Sequence, residues 1–431
     1  MKKLKVLFAL VLMISMTSII FAGGGAQSPS GGGTQSHEIN IWGWDNSDRR
    51  AEMHGHFKND TGISINITIV TAADMTQKLQ TTMAAGGEMP DIAWCEATYR
   101  GKLLSLDIWE DYTVPPYNFN KNNVLDYLIP LETSEVGKWV GPECPSVAGM
   151  AYKRGLAKEY FGTDDPIELE KFLPDWPSFI KAGQQVQQKS GGKVFMMATL
   201  GSAANILRGQ SSEPFINKDK LNLEKSMQPI LERLLEFKRS NICDIIDAGT
   251  AEEGASYATN EHIFYPCANW SVVYTIRAND RNGQGRWGFM VPPEGAFPWG
   301  GTVMGIPKRA KNKVDAAEYI KYFFGSEVGA KHQRDYMGNF SPFKPLYQQP
   351  TFYSAKDDYF AGQDVLQAIA QRILPAIKGV RPPSKYDQDL ADVLNSAITK
   401  INASTGTSVT AATLIAEMKD DLINKQPTIT R

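Results

Sequence analysis

The chain has 431 residues, 42% hydrophobic and 21% charged, with a formal net charge of −2. That is the balance of a soluble globular protein with room for two domains. It offers no basic patch for nucleic acid, and past the amino terminus no apolar run is long enough to cross a membrane.

Residues 1–22 read as a cleaved export signal. Lys2, Lys3 and Lys5 precede an apolar run from Val6 to Phe21, and small residues follow from Ala22 to Ala26. Ile20 is a poor residue three places before a cut after Ala22, so the cut is placed between 22 and 26. The first cysteine is Cys95, so no lipobox Cys stands at the cut and a lipid anchor by that route is not expected. Loss of the three lysines takes the formal charge from −2 to −5. A freely diffusing exported protein implies a compartment that retains it, most simply a periplasm. Residues 23–36, which include SPSGGGTQS, form a flexible tether.

The folded chain then opens with HEINIWGW, where Ile39 and Ile41 face one way and Trp42 and Trp44 the other. Asp45-Asn46-Ser47-Asp48 is a polar loop and Arg49 to Lys58 a helix. Ile63, Ile65, Ile67 and Ile69 alternate as a strand. Asp74 is expected to cap a helix with Met75, Leu79 and Met83 on one face, closed by Gly86-Gly87. Asp91 to Cys95 is a short buried strand with Glu96 at its exit. Strand–helix–strand–helix–strand in this span is the pattern of a parallel α/β sheet.

Residues 104–130 are aromatic, Pro-broken and irregular. Lys138 to Tyr152 holds two short strands around a turn. Asp175 caps a helix ended by Gly191, Val194 to Thr199 is a buried strand, and Leu223 to Arg239 is the clearest amphipathic helix. His262 to Ala268 is a strand leading into Asn269-Trp270. Trp287 to Val291 and Thr302 to Ile306 are short strands around Pro298-Trp299-Gly300-Gly301. Asn312 should cap a helix with Val314, Ala317, Ile320 and Phe324 as its apolar face. Helices alone follow: Ala330–Met337, about Gln363–Lys378, Asp387–Lys400 and Val409–Asn424. Two α/β units are apparent, about 37–140 and 150–285. Cys95, Cys144, Cys243 and Cys267 show no CxxC spacing; disulfides and buried thiols both remain open.

Aromatic and polar residues gather where strands end: Trp44-Asp45-Asn46, Glu96, Asn269-Trp270, Trp299-Gly300-Gly301 and, before a late helix, Tyr386. In open α/β sheets the ligand lies beyond the carboxyl ends of the strands. A sugar suits such a set, because its apolar ring face stacks on an indole and its hydroxyls need fixed acceptors and donors. Trp94, Trp109 and Trp176 read as packing residues. No GxSxG, HExxH or Walker loop occurs. His54 and His56 sit on opposite sides of a helix, and His262 has no carboxylate neighbour in its strand. Asp244 and Asp247 read as a solvated face. No catalytic residue, metal ligand or cofactor is therefore assigned.

Several stretches carry a resemblance: INIWGWDN, GGEMPDIAW, IFYPCANW and WGGTVMGIPKRAKN. Together they resemble the extracellular solute-binding proteins of ABC importers, the sugar-binding family that includes the maltodextrin-binding protein. The resemblance implies a two-lobed α/β fold of the type II periplasmic-binding class, closing on its ligand by hinge motion. It implies lobes of residues 37–145 with 303–345 and 146–302 with 346–431. Crossovers are expected near Cys144 to Gly149 and near Gly300 to Met304. It implies a cleft lined by residues near Trp44, Asp45, Asn46, Glu96, Trp270 and Trp299 to Gly301. The implied partners are a small carbohydrate and the membrane permease subunits of an ABC transporter, with the protein acting as a monomer. The competing class is a secreted, two-lobed glycoside hydrolase, whose paired carboxylates cannot be matched by sequence.

Overall fold

The computed structural model describes residues 37–431; the signal and tether read from residues 1–36 lie outside the described residues. Strand β1 (Glu38–Gly43) leads through helix α1 (Asp48–Thr61) to β2 (Ser64–Ile69), and α2 (Ala72–Ala84) leads to β3 (Ile92–Glu96). β1 pairs in parallel with both β2 and β3. Gly62, with φ of 77°, ends α1 and donates its N–H to the Lys58 carbonyl. The cap of α2 is Thr71, not Asp74. The Thr71 hydroxyl accepts the Asp74 N–H at 3.2 Å and donates to the Asp74 carboxylate at 2.7 Å. Met75 and Leu79 are buried, whereas Met83 lies on the exposed side. β2 is the edge of its sheet, so Ile65 and Ile67 are only half-buried and Ile69 is exposed.

Helix α3 (Ala97–Leu104) leaves directly from β3. After an irregular stretch the chain forms β4 (Val147–Lys153), α4 (Trp176–Ser190), β5 (Phe195–Met197), α5 (Leu200–Gln210), α6 (Gln228–Arg239) and β6 (His262–Ala268). Asp175 caps α4 by accepting the Ser178 N–H at 2.8 Å. The expected single helix at 223–239 is two: Leu223–Ser226 and α6, with Pro229 in the first turn of α6. The short strands β7 (Trp287–Met290) and β8 (Phe297–Pro298) pair antiparallel with successive halves of β4. The other side of β4 pairs with β6, which pairs with β5.

The next strand, β9 (Thr302–Gly305), does not join this second sheet; it pairs antiparallel with β3. The chain thus returns to the first sheet, order β9-β3-β1-β2, across Trp299 to Gly301. Helices α7 (Lys313–Gly325) and α8 (Glu327–Met337) follow. α7 buries Ala316, Ala317, Tyr319, Ile320, Phe323 and Phe324, while Val314 points outward, 70% exposed. Asn312 does not cap α7 with its side chain; its Nδ2 donates to the Glu38 carbonyl and to Asp91. The final helices α9 (Asp387–Ala403) and α10 (Ala411–Lys425) share one apolar core with α4, α5 and α6.

The two sheets, each with its own apolar cores, make the two lobes. The segments joining them run side by side. Met304 N–H reaches the Pro142 carbonyl, Glu143 bridges Val303, and Trp299 N–H donates to the Ser146 carbonyl at 2.8 Å. Gly300 and Gly301 adopt φ of 93° and 100°, a conformation that favours glycine. The lobes also touch at α3, where a Cβ on Gly101 would overlap the Ser384 carbonyl oxygen just ahead of α9. All four cysteines are free thiols.

Candidate functional site

The ends of β1, β3 and β6 bring their trailing residues to the seam between the lobes. A cavity of about 560 Å³ opens there, with Trp44, Asp45, Glu96, Trp270, Gly300 and Gly301 on its walls. Trp94, Arg50, Tyr274, Gln333 and Asn339 also line it. A second cavity of about 350 Å³ lies on the other side of Glu96, Trp270 and Gly300, which line both. Both volumes fall within the roughly 300–1,000 Å³ range of small-molecule sites.

The aromatic wall of the larger cavity is built from the first lobe upward. Trp44 meets Trp94 edge-on, ring centroids 5.0 Å apart, and the Arg50 guanidinium lies 4.7 Å over the Trp94 ring. Arg50 Nε donates to Asp45 at 2.8 Å, and the Ser47 N–H donates to the same carboxylate at 2.9 Å. Burial pushes the Asp45 carboxyl up, but the Ser47 N–H and the Arg50 charge outweigh it and hold it below its ordinary range. The Trp94 Nε1 is buried without a hydrogen-bond partner. Across the seam, Trp270 donates its Nε1–H to the Trp299 carbonyl at 3.0 Å, and their rings lie 5.1 Å apart. Such a wall offers indole faces together with a fixed carboxylate and guanidinium, the complement of a polyhydroxylated ring.

Glu96 ends β3 and caps α3, accepting the Thr98 N–H at 2.8 Å. Behind it, Arg100 forms a buried ion pair with Glu143 on the first crossover. Glu132 accepts the Glu143 N–H at 2.8 Å and the Trp139 Nε1–H at 2.7 Å. Burial pushes the Glu143 carboxyl up to about 7, against the pull of Arg100. Burial and then the Glu143 charge raise Glu132 well above its usual range. One guanidinium therefore serves two buried acids, beside the glycines that let the second crossover turn.

Not every expected residue reaches the larger cavity. Trp299 lines only the smaller one. Asn46 faces a separate groove with His54 and Lys58, between α1 and β2. The Asn269 side chain is buried beside Trp270, its Oδ1 unpartnered, and lines neither cavity. Tyr386 is packed into the second lobe's core, its hydroxyl at 3.1 Å from both Asp219 and Thr428. Trp94 is a core residue of the first lobe, as expected, and also borders the cavity. The signal for it was present: Trp94 and Glu96 are two apart on one strand and so share a face. Arg50 gave no such signal for its place over Trp94, a residue distant in sequence. His262 does have a carboxylate neighbour, but from outside its strand. Its Nε2 is 2.9 Å from Asp244, which is therefore not merely solvated. Trp109 and Trp176 are buried, as expected. Among the described residues no cluster of His, Cys, Asp or Glu could hold a metal ion, and no helix is long and apolar enough to cross a membrane.

Comparison with known proteins places this geometry. The chain is 22% identical over 370 residues to a lactose-binding protein of Rhizobium radiobacter, covering 79% of this chain and 83% of the relative. It is 24% identical over 371 residues to an arabinooligosaccharide-binding protein of Bacillus subtilis (strain 168), covering 80% and 81%. A crystal structure of an extracellular solute-binding protein of family 1 shares the fold, with a TM-score of 0.80 at 18% identity, over 89% of this chain and 99% of the other. A family model for bacterial extracellular solute-binding proteins matches residues 52–361, most of the folded chain. With the two-lobed architecture and the cavity at its seam, this chain belongs to the bacterial extracellular solute-binding proteins.

Proposed function

We propose that the protein binds a carbohydrate between its lobes and delivers it to the permease of an ABC importer, binding its solute without chemical turnover. The observation that carries this reading is the larger cavity, where Trp44 and Trp270 present aromatic surface beside Asp45, Arg50 and Glu96. The lactose- and arabinooligosaccharide-binding relatives support a saccharide as the solute. In this reading residues 37–145 with 303–345 and 146–302 with 346–431 move as lobes about the paired crossovers. The ligand set is Trp44, Asp45, Glu96, Trp270, Gly300 and Gly301, with Trp299 on the adjoining wall. The protein works as a monomer in a periplasm, after removal of residues 1–22.

A thermal-shift screen against mono- and oligosaccharides tests the reading, because a solute that binds only the native state raises the melting temperature. A saccharide that raises it and is recovered unchanged supports the proposal. Its conversion to product would favour a hydrolase. No shift with any saccharide would count against carbohydrate binding.

A further inference from the structure

The smaller cavity carries a feature that a neutral sugar does not need. Its wall holds three arginines: Arg100, Arg208 and Arg381. Arg100 is paired with Glu143, and Arg381 donates to Asp387 at 2.7 Å. Arg208 is different. Among the described residues its guanidinium makes no ion pair and no side-chain hydrogen bond. Glu96, the remaining carboxylate on that wall, forms no ion pair with it.

Arg208 stands in the last turn of α5, where the helix dipole favours a cation. That placement supplies no anion. Burial, and then the like charge of Arg381, pull its pKa below the ordinary value, with Asp387 a weaker counterweight. A guanidinium taken partly out of water without a counter-charge is costly, and the cost is recovered when an anion enters. Guanidinium groups match carboxylate, phosphate and sulfate in paired hydrogen bonds. The cavity also adjoins the larger one through Glu96, Trp270 and Gly300, so one ligand of more than a single ring could occupy both.

We propose that the smaller cavity is the subsite for a negatively charged unit of the bound saccharide, with Arg208 as its counter-ion and Arg381 beside it. The solute is then an acidic saccharide, such as a uronate-containing or sulfated disaccharide, with its other unit on the Trp44 and Trp270 faces. The inference rests on the carbohydrate reading and narrows it.

The test is calorimetric titration at low salt with neutral disaccharides and their uronate and sulfate-ester counterparts. Galactobiose, digalacturonate and sulfated lactose are among the probes, and the wild type is compared with Arg208→Gln. The acidic members are expected to bind tighter than the neutral ones by on the order of tenfold or more, since bonds to a charged group are the stronger kind. The ratio should fall toward one in Arg208→Gln and shrink with added salt. Preference for the uronate or for the sulfate ester identifies the source of the charge. Without ligand, Arg208→Gln should melt close to the wild type, because it loses only the favourable helix-end charge and no ion pair. A ratio at or below one in the wild type overturns the inference. So does a ratio unchanged in the variant. If neutral members alone bind, only the inference falls; if no member of either set binds, the carbohydrate reading falls with it.

Discussion

Gly301→Ala probes the second crossover where it is most constrained. The residue has φ of 100°, so any side chain there is strained, by about 1–3 kcal/mol. The new Cβ would also overlap Glu143 Oε2 and come within 3.0 Å of Arg100 Nη2. Glu143 is buried, so it can give way only by leaving Arg100. Breaking a buried pair costs about 3–5 kcal/mol. Together these place the loss at roughly 4 kcal/mol or more. Gly285→Ala is the control: its φ is 72°, but nothing lies within 4 Å of the new Cβ. It should lose only the strain, about 1–3 kcal/mol. Urea unfolding followed by tryptophan fluorescence measures both, the midpoint giving stability where the slope is unchanged. The reasoning is refuted if Gly301→Ala loses no more than Gly285→Ala.

At Gly101→Ala the added methyl collides with the Ser384 backbone across the seam, so any arrangement that keeps this contact is disfavoured. Saccharide affinity should fall and scattering should show a larger ligand-bound radius; unchanged values would argue that the contact does not matter to closure. The raised Glu143 carboxyl binds its proton more tightly folded than unfolded, so its contribution to stability is present below about 4.5 and is lost as pH rises through about 7. The size is at most roughly 3 kcal/mol by the usual 1.36 kcal/mol per pKa unit. Glu143→Gln should flatten the difference in unfolding free energy between pH 5 and pH 8, and an undiminished difference would contradict the assignment. Cys95, Cys243 and Cys267 are buried free thiols, so Ellman's reagent should find them unreactive in the folded protein and all four thiols reactive in urea. A shortfall in urea would reveal a disulfide.

The alternating strands, the helices and the turn at Gly300-Gly301 were legible because each rests on local periodicity or on a conformation only glycine holds easily. The strand ends pointed to Trp44, Asp45, Glu96 and Trp270, and these four line one cavity. Errors arose where tertiary packing decides. Val314 sits on the helical face away from the core, and the Thr71 hydroxyl displaced Asp74 as a cap. Tyr386 begins a late helix, as expected, but its ring belongs to the second lobe's core. Arg208 and the Arg100–Glu143–Glu132 cluster join residues far apart in the chain, and no periodicity marks such a meeting.

In the proposed binding mode a saccharide sits against Trp270 between the lobes. Calorimetric titration of the best saccharide from the screen, with wild type, Trp270→Ala and Trp176→Phe in parallel, tests it most directly. Trp176 packs in the second lobe's core and lines neither cavity, which makes it the packing control. Saturable binding is expected for the wild type and for Trp176→Phe. Trp270→Ala should lose about 2 kcal/mol or more, a fall of roughly 30-fold in affinity. Normal affinity in a folded Trp270→Ala would place the saccharide elsewhere and contradict the claim.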